Sequence, residues 1–390
     1  MNRNLFSHAW PQRMLIAALA CVCCQTTVAL GRGPQTSNLS AAQQAAQETL
    51  APAEAELQAG IALTRSGHFA EAIPHFLAAR GHVADEFAAD FNLALCYVGE
   101  DQADAAIPIL NELRGKHDTA GVENLLAQAY AKKGYASEAF EALDKAAASA
   151  PRDEKLYLYV SAAFEKRHEH TSSLQTIEAG LRHMPNSARL HYERGYLLEL
   201  LDDTDAAKVE FERARTLAPH SAIGYLAGAH ENLMLGNLSQ AVALARAGIR
   251  EGHSDYQLLA VLGEGLLRSG ASPGQAEFTE AKEALEKSVA ARSNYSSARV
   301  SLGHVFLLQG NLEKAVEHLD VGRQLDPLNP SVYPLLAAAY RRRGQTDRAQ
   351  EMLAILTKLN QEKVQQIRSA PGDNKAIPGA SKPDSKMHDP

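Results

Sequence analysis

The chain has 390 residues, 45% hydrophobic, 22% charged and only 6% aromatic, with four cysteines. That composition excludes a wholly disordered chain, a collagen and a disulfide-stapled miniprotein. Beyond residue 29 it carries 37 bases against 46 acids, a charge of −9, which argues against nucleic acid as a partner because phosphate neutralisation needs a basic face.

Residues 1–29 read as a secretory signal peptide. Arg3 and Arg13 stand without an acid, an apolar run follows from Met14 to Val22, and Thr27-Val28-Ala29 gives a small-residue exit. The run is short for a bilayer span, so cleavage after Ala29 is expected, leaving an exported periplasmic or extracellular protein with no membrane span. The alternative is a lipid anchor. Cys21 follows Ala18-Leu19-Ala20, which resembles a bacterial lipobox but lacks the usual aliphatic residue three places before the cysteine. Lipidation there would make the protein membrane-associated. Cys21, Cys23 and Cys24 leave with a cleaved signal, so Cys96 stays alone and makes no internal disulfide. Its apolar helical surroundings predict a buried thiol rather than a nucleophile.

Residues 30–52 form a polar Gln/Ala/Ser stretch, a linker or N-terminal helix. From residue 53 apolar residues recur at three and four spacings and strand alternation is scarce, which predicts an all-α chain. Overlaying segments that start at Ala53, Phe87, Ala120, Glu154, Ala188, Ala222, Tyr256, Ser296 and Pro330 brings out a 34-residue period. The eighth position is then Gly60, Ala94, Ala127, Ser161, Gly195, Ala229, Gly263, Gly303 and Ala337. The twentieth is Ala72, Ala106, Ala139, Ser173, Ala207, Ala241, Ala281, Ala315 and Ala349. Every member of both columns is small, as two closely approaching antiparallel helices require. Bulky residues fill position twenty-four (Phe76, Leu110, Leu143, Ile177, Phe211, Leu285, Leu319, Leu353). Glycines such as Gly67, Gly134 and Gly236 end the first helix, and Pro151, Pro185, Pro219 and Pro327 stop the second.

This pattern resembles the tetratricopeptide repeat. The nearest matches to its signature are Gly-Tyr-Ala-Ser-Glu-Ala-Phe at 134–140 followed by Pro151, and Gly-Asn-Leu-Glu-Lys-Ala-Val at 310–316 followed by Pro327. The resemblance covers residues 53–363 and implies a right-handed superhelical solenoid of about nine helix–turn–helix repeats. Two departures stand out. Position four is polar in five repeats (Glu56, Asp90, Glu123, His191, Arg299), and Asn232 and Ala245 replace bulky residues in the sixth, predicting looser packing there. Extra residues near 271–278, around Pro273-Gly274, read as a loop insertion in the seventh repeat, and the proline-rich 364–390 segment reads as a disordered tail.

The sequence carries no phosphate loop, His-Glu-x-x-His, nucleophile elbow or paired CxxC, so no catalytic residue, cofactor or metal is expected. His168-Glu169-His170 is the nearest approach to a metal cluster, but two histidines two residues apart face away from each other on a helix, and no third ligand is evident. The resemblance implies instead that the first helices line a concave groove that binds a protein or peptide. Mapped onto this chain, the groove positions of the middle repeats are Tyr192, Tyr196, Glu199, His230, Glu264, Arg268 and His304. Tyr192 and Tyr196 share a helical face and suit an interface anchor. Asn124 and Lys132 loosely match the family's carboxylate clamp, but its other positions do not, so that specificity is rejected. The expectation is a non-catalytic scaffold that assists complex assembly or secretion in the cell envelope. The alternatives are a lipid-anchored version of it, or an enzyme or transferase subunit with an unrecognised site.

Overall fold

The computed structural model describes residues 41–369 apart from Asp118, with side chains from residue 51 onward except Lys363 and 366–369. The expected signal peptide, Cys21 and most of the expected tail lie outside the described residues. Within them the chain is all-α, with eighteen helices and no strand. The first compact unit, ending at Ser293, contains α1 (Ala41–Ser66), α2 (Phe69–Ala79), α3 (Glu86–Gly99), α4 (Ala103–Lys116), α5 (Ala120–Lys133), α6 (Ala136–Ser149) and α7 (Glu154–Glu165). It continues with α8 (His170–His183), α9 (Ala188–Leu200), α10 (Thr204–Leu217), α11 (Ala222–Met234), α12 (Leu238–Arg250), α13 (Tyr256–Arg268) and α14 (Ala276–Ala291). The second unit, from Asn294, holds α15 (Ser296–Leu308), α16 (Leu312–Leu325), α17 (Val332–Arg342) and α18 (Thr346–Ser369). In each unit consecutive helices pack as hairpins, and odd-numbered helices also touch in series, α9 on α11 and α11 on α13 for example. That stacking makes a helical-repeat solenoid.

The small-residue columns are the hairpin crossings. Every residue of the twentieth column is wholly buried except Ala349, at 2% exposure. Position eight abuts position twenty-four of the same repeat. A Cβ on Gly60 would lie 2.8 Å from the Phe76 ring, and one on Gly303 would lie 2.6 Å from Leu319 Cγ. The sixth repeat closes despite its departures: Ala245 is fully buried, and Asn232 Nδ2 donates back to the Gly228 carbonyl at 2.8 Å. The insertion is shorter as a loop than expected. Of residues 271–278 only 271–275 lie outside helices, because Phe278 is drawn into the core at 3% exposure and α14 starts at Ala276.

The fifteenth position of every repeat has a positive φ. It is glycine in six (Gly67, Gly134, Gly236, Gly270, Gly310, Gly344), while Asp101 (60°), His168 (59°) and Asp202 (62°) adopt the same left-handed turn with a side chain. Asp101 uses that geometry. It ion-pairs with Lys132 at the end of α5 and with Lys166 after α7, so three successive turns share one carboxylate. Burial pushes that carboxyl up, and the hydrogen bonds from the two lysines outweigh it, holding it below the usual carboxylate range.

The polar residues at position four also acquire a physical reason. Glu56 meets His75 at 2.6 Å, His191 meets Glu210 at 2.6 Å and Arg299 meets His318 at 3.2 Å, each across its own hairpin. Asp90 and Glu123 instead reach back to the preceding repeat, to Arg80 at 2.6 Å and Arg114 at 2.5 Å. Arg80 and Arg114 occupy the same repeat position, so this is a recurring inter-repeat pair rather than an irregularity.

Candidate protein-binding face

The candidate residues lie mainly on the odd-numbered helices, whose starts are fixed by side-chain caps. Ser187 Oγ accepts from Leu190 N at 3.0 Å before α9, Ser221 Oγ accepts from Gly224 N at 3.2 Å before α11, and Asp255 accepts from Gln257 and Leu258 N at 3.0 Å before α13. These caps set the rotation of each helix and therefore which side chains meet.

Four of the predicted residues come together. His230 on α11 lies between two groups of α9: Tyr192 Oη is 3.1 Å from its Nδ1, and Glu199 Oε2 is 3.1 Å from its Nε2. The Tyr192 hydroxyl and Nδ1 share one hydrogen bond, and Nε2 stands beside the carboxylate. The His230 ring also stands 5.1 Å from Phe211 and 5.9 Å from Tyr196. The result is a packed aromatic cluster with a carboxylate on its rim.

Tyr192 requires a correction. It is only 2% exposed, its ring 5.6 Å from Phe211, so it is part of the hairpin core rather than an open contact anchor. Its role is to hold His230. Tyr196, partly buried, and Glu199, 30% exposed, present the accessible surface. Glu264 and Arg268 form their own pair one turn apart on α13, at 3.4 Å. His304 stands in the second unit on α15, where burial pushes its pKa below the usual value.

Asn124 and Lys132 are engaged internally. Asn124 Nδ2 donates to the Leu156 carbonyl at 3.3 Å and its Oδ1 accepts from Gln128 Nε2 at 2.6 Å, while Lys132 binds Asp101. Cys96 is fully buried beside Thr64, and burial pushes its thiol up to about 11, which leaves it protonated and inert at neutral pH. The rings of His168 and His170 lie 6.0 Å apart edge-on, and among the described residues no group of three His, Cys, Asp or Glu side chains gathers to hold a metal ion. A cavity of about 280 Å³ opens on the second-helix layer between α6 and α8, bounded by Phe140, Asp144, Glu178 and Arg182. No helix of the described residues is long and apolar enough to cross a membrane.

Two arginine–aromatic contacts also form, one within the fifth repeat and one within the seventh. Arg189 ion-pairs with Glu193 at 2.5 Å and covers the Tyr192 ring at 5.5 Å, and Arg292 donates to Tyr256 Oη at 2.6 Å. The sequence register missed this, because position six and the residue closing α14 are outside the five positions expected to line a groove.

Residues 57–121, 188–221 and 274–339 each match a family described as tetratricopeptide repeat. Among solved structures, the chain is similar to a tetratricopeptide repeat protein from Parabacteroides merdae, with 16% identity, 64% of this chain and 97% of that chain covered, and a TM-score of 0.46. It is also similar to a thermophilic protein of the same repeat type from Thermus thermophilus (21% identity, 47% and 96% covered, TM-score 0.39). A third similar structure is YrrB, described as having an unusual peptide-binding site (17% identity, 49% and 96% covered, TM-score 0.32). No curated protein matches the sequence.

Proposed function

We propose, from the premise that this chain is a tetratricopeptide repeat protein and so an interaction scaffold, that it binds a protein or peptide segment along its first-helix layer. The scaffold is non-catalytic and works in the cell envelope, assisting assembly or secretion. The observation that carries the binding site is the Tyr196–Glu199–His230 surface. Its groups are fixed in advance by Tyr192 and Phe211, so a partner meets an aromatic face and a carboxylate without an ordering cost at this site. Large rigid rings with a polar tip are typical interface anchors.

The test uses a photo-crosslinking amino acid at position 196 in the native host, compared with the same group at Gln175 on the second-helix layer. Adducts to a discrete protein from position 196 alone, lost on Glu199→Ala, support the reading. Equal adducts from both positions, or none from 196, refute it. Export rests on the sequence of residues 1–29. Amino-terminal sequencing that begins just after Ala29 supports it, a lipid-bearing Cys21 supports the anchored version, and an intact Met1 in the cytoplasm removes both.

A further inference from the structure

Positions thirteen and fourteen of each repeat form the edge where the first helix turns into the second. In most repeats they are charged or small, Lys132-Lys133 and Lys166-Arg167 being representative, but in the fifth and sixth they are Leu200-Leu201 and Met234-Leu235. Leu200 is 39% exposed, Leu201 40% and Leu235 39%, and Met234 is partly buried. α9 and α11 touch, and packed helices stand about 10 Å apart, so these side chains make one apolar lip. An apolar patch so framed by polar repeats marks an interaction surface.

Charge identifies what fits it. Asp202 and Asp203 follow the leucines in the exposed turn, and Asp205 follows, also exposed, at the start of α10. Asp203 caps α10 by accepting from Ala206 N at 3.2 Å. Three cations of the adjoining repeats are already held: Lys166 by Asp101, Arg167 by Glu169 at 2.7 Å and Arg268 by Glu264 at 3.4 Å. The lip therefore lies in a negative field.

We propose that this lip docks a basic amphipathic segment of a partner protein, with apolar side chains on the leucines and Lys or Arg side chains against Asp203 and Asp205. The same carboxylates would repel an anionic lipid surface. A second copy seated symmetrically would bring those acids against their equivalents, so self-association is disfavoured too. The site stands on the turn edge, apart from Tyr196, and does not depend on the first-helix layer being a binding surface.

The probe is a labelled synthetic amphipathic helix of leucine and lysine, titrated with the full chain and followed by fluorescence anisotropy. A leucine–glutamate peptide of the same pattern is the control. The lysine peptide should bind and the glutamate peptide should not. Leu201→Ser/Leu235→Ser should weaken binding about tenfold or more. Asp205→Lys should weaken it and flatten its salt dependence, and Tyr196→Ala should leave it unchanged. Equal binding of both peptides, full binding by the folded double variant, or loss in Tyr196→Ala alone would each overturn the proposal. So would a wild-type dimer in sedimentation that the double variant dissolves.

Discussion

The match between positions eight and twenty-four makes a quantitative prediction at Gly60 and Phe76. Phe76 is wholly buried, and a Cβ on Gly60 would stand 2.8, 2.9 and 3.0 Å from three of its ring carbons, against about 3.5–4.0 Å for carbon atoms at ease. Gly60→Ala therefore gains about 1 kcal/mol of helix propensity but forces the hairpin apart at about 1–3 kcal/mol. The net expectation is a loss of about 1 kcal/mol. Phe76→Leu alone leaves a partial void and should cost about 1–2 kcal/mol. Together the two changes recreate the Ala94–Leu110 and Ala127–Leu143 pairs of the next two repeats, where the same positions are fully or almost fully buried. The double variant should then lie within about 0.5 kcal/mol of wild type, a coupling of about 2–3 kcal/mol between the sites. Urea unfolding of the four proteins, followed by circular dichroism at constant m-value, measures it. Simple additivity of the two single costs would refute the idea that glycine stands there to admit the ring.

Three further expectations follow from individual side chains. His168→Gly should raise stability by about 1 kcal/mol, because φ is 59° there and six other repeats place glycine at the same point; a lowered melting temperature would contradict it. His191 has Glu210 at its Nδ1 and the Pro185 carbonyl at its Nε2, both acceptors, and the Glu210 hydrogen bond raises its pKa above the usual 6.5. Its folded-state pKa is the higher one, so its contribution is complete below pH 6.5 and is lost as pH rises through the raised value. The stability gap between wild type and His191→Gln should shrink across that window, and a gap independent of pH would count against the assignment. Burial raises the Glu231 carboxyl above 4.5, so the folded state holds its proton more tightly and stability falls as pH rises through the raised value. Glu231→Gln should stabilise the protein at neutral pH and make little difference well below pH 4.5, as paired denaturant titrations at the two pH values will show.

The repeat period was legible because it is written in sizes. Small residues at positions eight and twenty can be read without knowing any neighbour, and α5, α7, α9, α11, α13 and α15 begin at the residues where the register starts its repeats. The six glycines at position fifteen were legible for the same reason. What stayed hidden depends on a neighbour's side chain. Asp101, His168 and Asp202 share the glycine conformation without the glycine signal. Glu123 looks anomalous until Arg114 of the preceding repeat is beside it. Tyr192 has the spacing of a surface residue, and only the closeness of Phe211 and His230 reveals it as core. The Leu200–Leu201 edge was present in the sequence, but it lies outside the positions that the repeat pattern draws attention to.

The Asp101 carboxylate changes what kind of chain this is mechanically. A stack of repeats is ordinarily a one-dimensional system in which each member senses only the next. Lys132 and Lys166 belong to the two repeats after the one that supplies Asp101, which adds an interaction between second neighbours. Fraying that enters from either end then cannot detach one of these three hairpins without disturbing a contact held by another. The second to fourth repeats are thus joined by one shared exposed contact as well as by nearest-neighbour packing.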